Sequence, residues 1–192
     1  RWQTKFHLPL RISVNLSPLQ LRQPGLVQLV AAVVEETGLD PHLLDLEVTE
    51  SISVKSIPNL LETLQALRDL GCQISIDDFG TGYSSLAYLK HFPIEALKID
   101  RSFVADLGRD SNDAAICAAI IAMGRQLGLK IVAEGVETKE QLQFLATHGC
   151  TLAQGFYIAR PVEAQEMAKM LRIGTDEPRV LVAPAEGKSG TD

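Results

Sequence analysis

Between Leu10 and about Leu171 two kinds of hydrophobic pattern take turns along the chain. Short apolar runs interrupted at every second position predict strands at 10–16, 43–50, 72–77, 96–100, 129–135 and 151–156. Between them, apolar residues three and four apart predict helices at 25–38, 57–71, 113–128, 139–149 and 162–171, with a short one around 86–90. Gly38, Gly71, Gly128 and Gly149 stand where a helix would stop, and Ser17-Pro18 is a good helix start. The result is six βα units. Strict alternation of this kind points to an α/β fold with a parallel sheet, either doubly wound or a (β/α)₈ barrel of which six units are present. From about Ile173 the text turns rich in Pro, Gly, Ser and Asp, so 1–172 is expected to be the domain and 173–192 a flexible tail or linker.

Strand parity separates the polar positions from the apolar ones. Ile12 and Val14 alternate with Ser13 and Asn15, Leu46 and Val48 flank Glu47, and Ile74 and Ile76 oppose Ser75 and Asp77. Likewise Leu97 and Ile99 oppose Lys98 and Asp100, Glu134 follows Ala133, and Gln154 follows Ala153. If the apolar parity packs on helices, Asn15, Glu47, Asp77, Lys98, Glu134 and Gln154 converge at the C-terminal ends of the strands, with Asp78 and Asp100 beside them. That is the end at which α/β folds place their active sites. Taken singly, each Asp or Asn there is more simply a turn former or helix cap. As a set the reading changes, because Glu, Lys and Gln form turns poorly and several carboxylates in one mouth repel unless cations are bound.

Composition narrows the chemistry. The 192 residues carry a formal charge of -6, which argues against a nucleic-acid polymer or an anionic membrane surface as partner. The all-oxygen set suits Mg²⁺ or Mn²⁺ rather than zinc or copper. Asp77 could lie between two ions with Asp78 on the second, and two such ions promote phosphodiester cleavage. Cys72, Cys117 and Cys150 are far apart and read as free buried thiols; His7, His42, His91 and His148 read as surface residues. No apolar run approaches the ~20 residues of a membrane span.

The segments "SVNLS" (13–17), "LEVTES" (46–51), "IDDFGTGYSSL" (76–86), "LKIDRSFV" (97–104), "AEGVE" (133–137) and "QGFYIARP" (154–161) resemble, in order and spacing, the EAL domain family. Its members are bacterial phosphodiesterases that hydrolyse cyclic di-GMP to linear pGpG (EC 3.1.4.52 type). The resemblance implies a TIM-like barrel of which this chain supplies the third to eighth βα units. It implies Asn15, Glu47, Asp77 and Asp78 as ligands of two Mg²⁺ or Mn²⁺ ions, and Glu134 and Lys98 as the catalytic pair managing the attacking water. Asp100, Gln154 and Glu137 would support the site, and Glu50 would anchor the loop after the family's fifth strand, here "DFGTGYSS". That loop implies a homodimer, and attached sensory or cyclase domains are expected, in a cytoplasmic protein or the cytoplasmic part of a membrane-anchored one. Phe79 and Tyr83 read as packing residues, and Phe156 and Tyr157 as core or as a stacking surface for guanine.

The family's namesake Glu-Ala-Leu motif is expected well upstream of Asn15, and only fourteen residues precede Asn15 here. The expectation is therefore an N-terminally incomplete domain, short of two strands and one metal ligand and with little activity on its own. The competing expectation is a non-catalytic cyclic di-GMP receptor signalling through Gly80–Ser85, which the retention of both Asp77 and Asp78 disfavours.

Overall fold

The structure, a computed structural model, describes residues 2, 5, 8–50, 57, 59–82 and 89–173. Arg1, His7, Tyr83, Ser84, Ser85, most of the predicted 86–90 helix and the predicted tail beyond 173 lie outside them. Six strands pair in parallel and in chain order: β1 (Ile12–Leu16), β2 (Leu44–Thr49), β3 (Gln73–Phe79), β4 (Ala96–Ile99), β5 (Lys130–Ala133) and β6 (Leu152–Ala153). Between and after them come α1 (Pro18–Leu21), α2 (Leu26–Thr37), α3 (Leu60–Asp69), α4 (Arg101–Ala105), α5 (Ser111–Gln126), α6 (Lys139–His148) and α7 (Ala164–Ile173), with a 3₁₀ turn at Pro41–Leu43. Sequential strand order, with no reversal, is the order of a TIM-like barrel and not of a doubly wound sheet, whose order reverses at a switch point.

Local chemistry explains the element ends. Ser17 and Gln20 form a capping box before α1, and Thr138 and Gln141 form another before α6. Gly38 and Gly149 end α2 and α6 in the left-handed conformation. Two elements escaped the pattern reading. The short α4 is started by Asp100, whose carboxylate accepts from the Ser102 N–H, and the 3₁₀ turn is too short to show a period. Helix α5 starts ahead of the predicted Asp113 because Asp110 caps it through Asn112 N–H at 2.7 Å. The predicted strand at 151–156 shrinks to two residues, since Gly155 and the turn after it leave the ladder.

Helix-facing residues form the core. Leu60, Leu64 and Leu67 make one buried stripe of α3, and Cys117, Ile120, Ile121 and Gly124 one of α5. A Cβ on Gly124 would collide with Ile131, so glycine is what lets α5 lie against β5 and β4. This contact shows which parity faces the helices: Ile131 and Leu97 do, with Ile74, Ile76 and Ile99 equally buried. Each such side chain contributes roughly 1.5–3 kcal/mol by leaving water. The opposite parity faces away from the helices. At the sheet edge β1 is covered only at its last residue, Leu16, with Ile12 48% and Val14 43% exposed.

Candidate metal and phosphodiester site

Four neighbouring strands deliver the centre of the site. Lys98 of β4 lies between the carboxylates contributed by β2, β3 and the end of β5. Its Nζ donates to Glu47 Oε1 at 3.0 Å, Asp77 Oδ1 at 3.0 Å and Glu134 Oε1 at 2.7 Å. Glu47 and Lys98 are buried at 7% exposure each, so water does little to screen the group. Burial opposes the ammonium charge, yet the three carboxylates together outweigh it and hold Lys98 above the ordinary lysine range. Glu134 is pushed up, first by burial and then by Asp77 and Glu47, against the pull of Lys98. One ammonium therefore satisfies only part of the negative charge gathered here.

The adjacent aspartates are the sharpest local feature. The predicted strand stops at Asp77, with Asp78 opening the loop; the structure corrects this, because β3 runs on to Phe79. The register with β4 shifts between Ile76 and Phe79, and Asp78 takes a φ of 54°. This irregularity is a bulge, the device by which a strand re-aims a side chain beside an active site. In a regular strand Asp77 and Asp78 would face opposite sides; here oxygens of Asp77, Asp78 and Glu134 all lie within 4.8 Å of one another. The Asp78 N–H donates to Asp77 Oδ1 at 3.1 Å, and Phe79 returns to the ladder opposite Ile99 as a buried packing residue. Asp78 is pushed up by burial and by Asp77 and Asp100. Burial acts to raise Asp100 as well, but the Ser102 hydroxyl and N–H and a hydrogen bond with Asp78 bring it below the usual carboxylate range.

Glu50 secures the turn that follows. Its Oε2 accepts from Gly80 N–H at 2.7 Å and Gly82 N–H at 3.0 Å, while its own N–H donates to the Asp77 carbonyl at 2.9 Å. Gly80 has φ 104° and a Cβ there would strike Phe103, so the close approach requires glycine. The remainder of the predicted loop, 83–85, lies outside the described residues.

The other predicted site residues sit further out. Asn15 pairs in register with Glu47 but is exposed on the edge strand β1. Gln154 is exposed after β6, its N–H bonded to Ala133 O at 2.8 Å. Glu137 is exposed at the approach to α6, its N–H donating to Gln141 Oε1 at 2.7 Å. Gln154 also borders an open cleft of about 590 Å³ lined by Phe156, Arg160, Met167 and Met170. Phe156 corrects the core reading: it is 52% exposed, with the Arg160 guanidinium 4.5 Å over its ring, whereas Tyr157 packs on the core. A Glu-Ala-Leu tripeptide does occur, at Glu95–Leu97, but Glu95 lies at the opposite end of β4 and pairs with Arg68 and Lys130. Parity puts Asp45 on the face of Glu47, but a reading of strand ends passes it over, because this buried carboxylate lies toward the opposite, N-terminal end of β2. The three cysteines are free, with burial raising each thiol, and His42, His91 and His148 are exposed. No helix among the described residues is long and apolar enough to cross a membrane.

Known proteins bear on this geometry. The family model for the EAL domain matches residues 1–161. The bifunctional diguanylate cyclase/cyclic di-GMP phosphodiesterase MucR of Pseudomonas aeruginosa is 50% identical over 86% of this chain and 24% of its own length. The cyclic di-GMP phosphodiesterase NbdA of the same organism is 46% identical over 86% of this chain and 21% of its own. The chain thus spans about a quarter or less of the length of these relatives. Among solved structures, the PaMucR phosphodiesterase in its c-di-GMP complex superposes with a TM-score of 0.78 at 52% identity, covering 82% of this chain and 64% of that one. The EAL domain of Mycobacterium smegmatis DcpA does so with 0.85 at 44% identity, covering 91% and 78%.

Proposed function

The chain belongs to the EAL domain family, and from that premise we propose that it hydrolyses cyclic di-GMP to linear pGpG in second-messenger signalling. The observation that carries this reading is the gathering of Glu47, Asp77, Asp78 and Glu134 at one end of the sheet, with more negative charge than Lys98 neutralises. The donor set fits hard divalent cations. Asn15, Glu47, Asp77 and Asp78 would hold two Mg²⁺ or Mn²⁺ ions, which supply Lewis acidity and an activated water when bound.

The chain's own groups do the rest. Lys98, fixed by three acceptors, presents a positive charge beside the water and the scissile phosphate. Glu134 takes the water's proton; its raised position brings a carboxylate nearer the range where proton exchange at neutral pH is efficient. Asp100 braces Asp78 and starts α4, and Gln154 and Glu137 border the mouth. Glu50 sets the first turn of the loop through which a homodimer would form. Sensory or cyclase domains would accompany this domain in a cytoplasmic setting, in keeping with the greater length of the relatives.

The test is hydrolysis of cyclic di-GMP by the full-length protein with Mg²⁺ or Mn²⁺, resolved chromatographically. Linear pGpG is the expected product, and Glu134→Gln should lower the rate about 10²–10⁴-fold with ligand binding retained in calorimetry. Tight binding by the unaltered protein with no product would instead identify a receptor.

A further inference from the structure

One layer beneath the carboxylates, on the same inward faces, lies a second polar set. Ser13, Asp45 and Ser75 precede Asn15, Glu47 and Asp77 by two residues on β1, β2 and β3, so each shares a face with the residue above it. Asp45 Oδ2 accepts from Ser13 Oγ at 3.3 Å and Oδ1 accepts from Ser75 Oγ at 3.0 Å. Asp45 is only 8% exposed and Ser75 1%. The ion pairs among the described residues include none to Asp45, so two hydroxyls are what receive this carboxylate. Removing a carboxylate from water is costly, and an apolar layer would hold the sheet together with less penalty.

What the hydroxyl bridge adds is a side-chain tie across three strands. Backbone pairing fixes β1 to β2, but β1 is an edge strand on which Leu16 alone is buried and Ile12, Ser13, Val14 and Asn15 are exposed. Ser13 is the inward residue nearest to Asn15 on that strand, and Ser75 stands in the same relation to Asp77 ahead of the bulge. We propose that Asp45 is a positioning residue, clamping β1 and β3 onto β2 so that Asn15, Glu47 and Asp77 present their oxygens to a divalent cation in one arrangement. This rests on the metal-dependent reading above and deepens it, because Asp45 touches neither ion nor substrate.

The test measures Mn²⁺ binding by the loss of the free-ion electron paramagnetic resonance signal in the full chain, independently of turnover. Asp45→Leu should weaken Mn²⁺ binding about 10–100-fold, the range for residues that orient metal ligands from behind. Asp45→Asn, whose amide can accept from one serine and donate to the other, should recover most of the affinity. Ser75→Ala should fall between them, and carries the test if Asp45→Leu does not fold. Unchanged Mn²⁺ binding in the folded variants, even with lowered melting temperatures, overturns the clamp and leaves the phosphodiesterase reading standing. Equal loss in Asp45→Asn and Asp45→Leu overturns it too, by pointing to charge and not geometry. Mn²⁺ binding that depends on Asp45 as stated, in a protein that hydrolyses no cyclic di-GMP, upholds the clamp and removes the phosphodiesterase reading.

Discussion

Strand β4 carries opposite charge arrangements at its two ends. Just before it, Glu95 faces two cations, Arg68 at 3.6 Å and Lys130 at 3.4 Å, all of them partly open to solvent. Three residues further on, Lys98 faces three carboxylates and is nearly closed off. The first cluster holds at least as much positive as negative charge and asks for nothing more. The second keeps a surplus of buried negative charge that folding alone leaves unneutralised. In an α/β barrel the N-terminal end of the strands serves stability and the C-terminal end serves chemistry. Here that division is visible as charge balance at one end of a single strand and imbalance at the other.

Substitutions at the two ends should therefore behave differently. The largest effect is expected from Lys98→Met, which strands Glu47, Asp77 and Glu134 without their shared cation. Breaking a buried ion pair costs about 3–5 kcal/mol, and for a chain of this size each kcal/mol moves the melting temperature roughly 2–4 °C. Without divalent ions calorimetry should show that loss, and Mn²⁺ should restore part of it. No loss without metal would mean that the carboxylates are already relieved in some other way.

A subtler difference lies in pH. Glu134 and Asp78 have native positions above their ordinary values of 4.5 and 3.8, so their ionisation is harder in the folded state. That penalty is absent below those values and grows as pH rises through the raised native positions. Metal-free protein should then lose stability on going up from about pH 4.5, contrary to the usual acid denaturation of paired carboxylates. Lys98, raised, contributes stability that is complete below the ordinary lysine value of 10.5, so it is constant across this window. Melting curves with and without Mn²⁺ should show the slope flattened by metal and reduced in Glu134→Gln.

Glu95→Gln should do least. The cluster is exposed enough that about 0–1 kcal/mol is at stake, fading at high salt, with Mn²⁺ binding and hydrolysis unchanged. An effect on turnover comparable to that of Lys98→Met would erase the contrast between the two ends.

Much of this was legible before any coordinates. Parity placed Glu47, Asp77, Lys98 and Glu134 on one face because a strand's side chains alternate whatever its neighbours do. The loop anchor was legible only as a likeness, since Glu50 and Gly80 are thirty residues apart and meet solely through the pairing of β2 with β3. Asp45 shares the parity of Glu47 but lies toward the N-terminal end of β2, where an aspartate looks the same in sequence whether it is solvated or clamped. The order of the strands was equally hidden, because alternation of strand and helix is shared by barrels and doubly wound sheets.

The amino-acid sequence by itself thus determined the strand and helix periods, the polar parity and the hard-oxygen character of the site, all consequences of covalent order and local geometry. The tertiary structure alone decided that Asp77 and Asp78 reach one point. Two neighbouring strand residues should diverge, and it is the slip of β3 against β4, a relation between strands brought together by folding, that turns both carboxylates the same way.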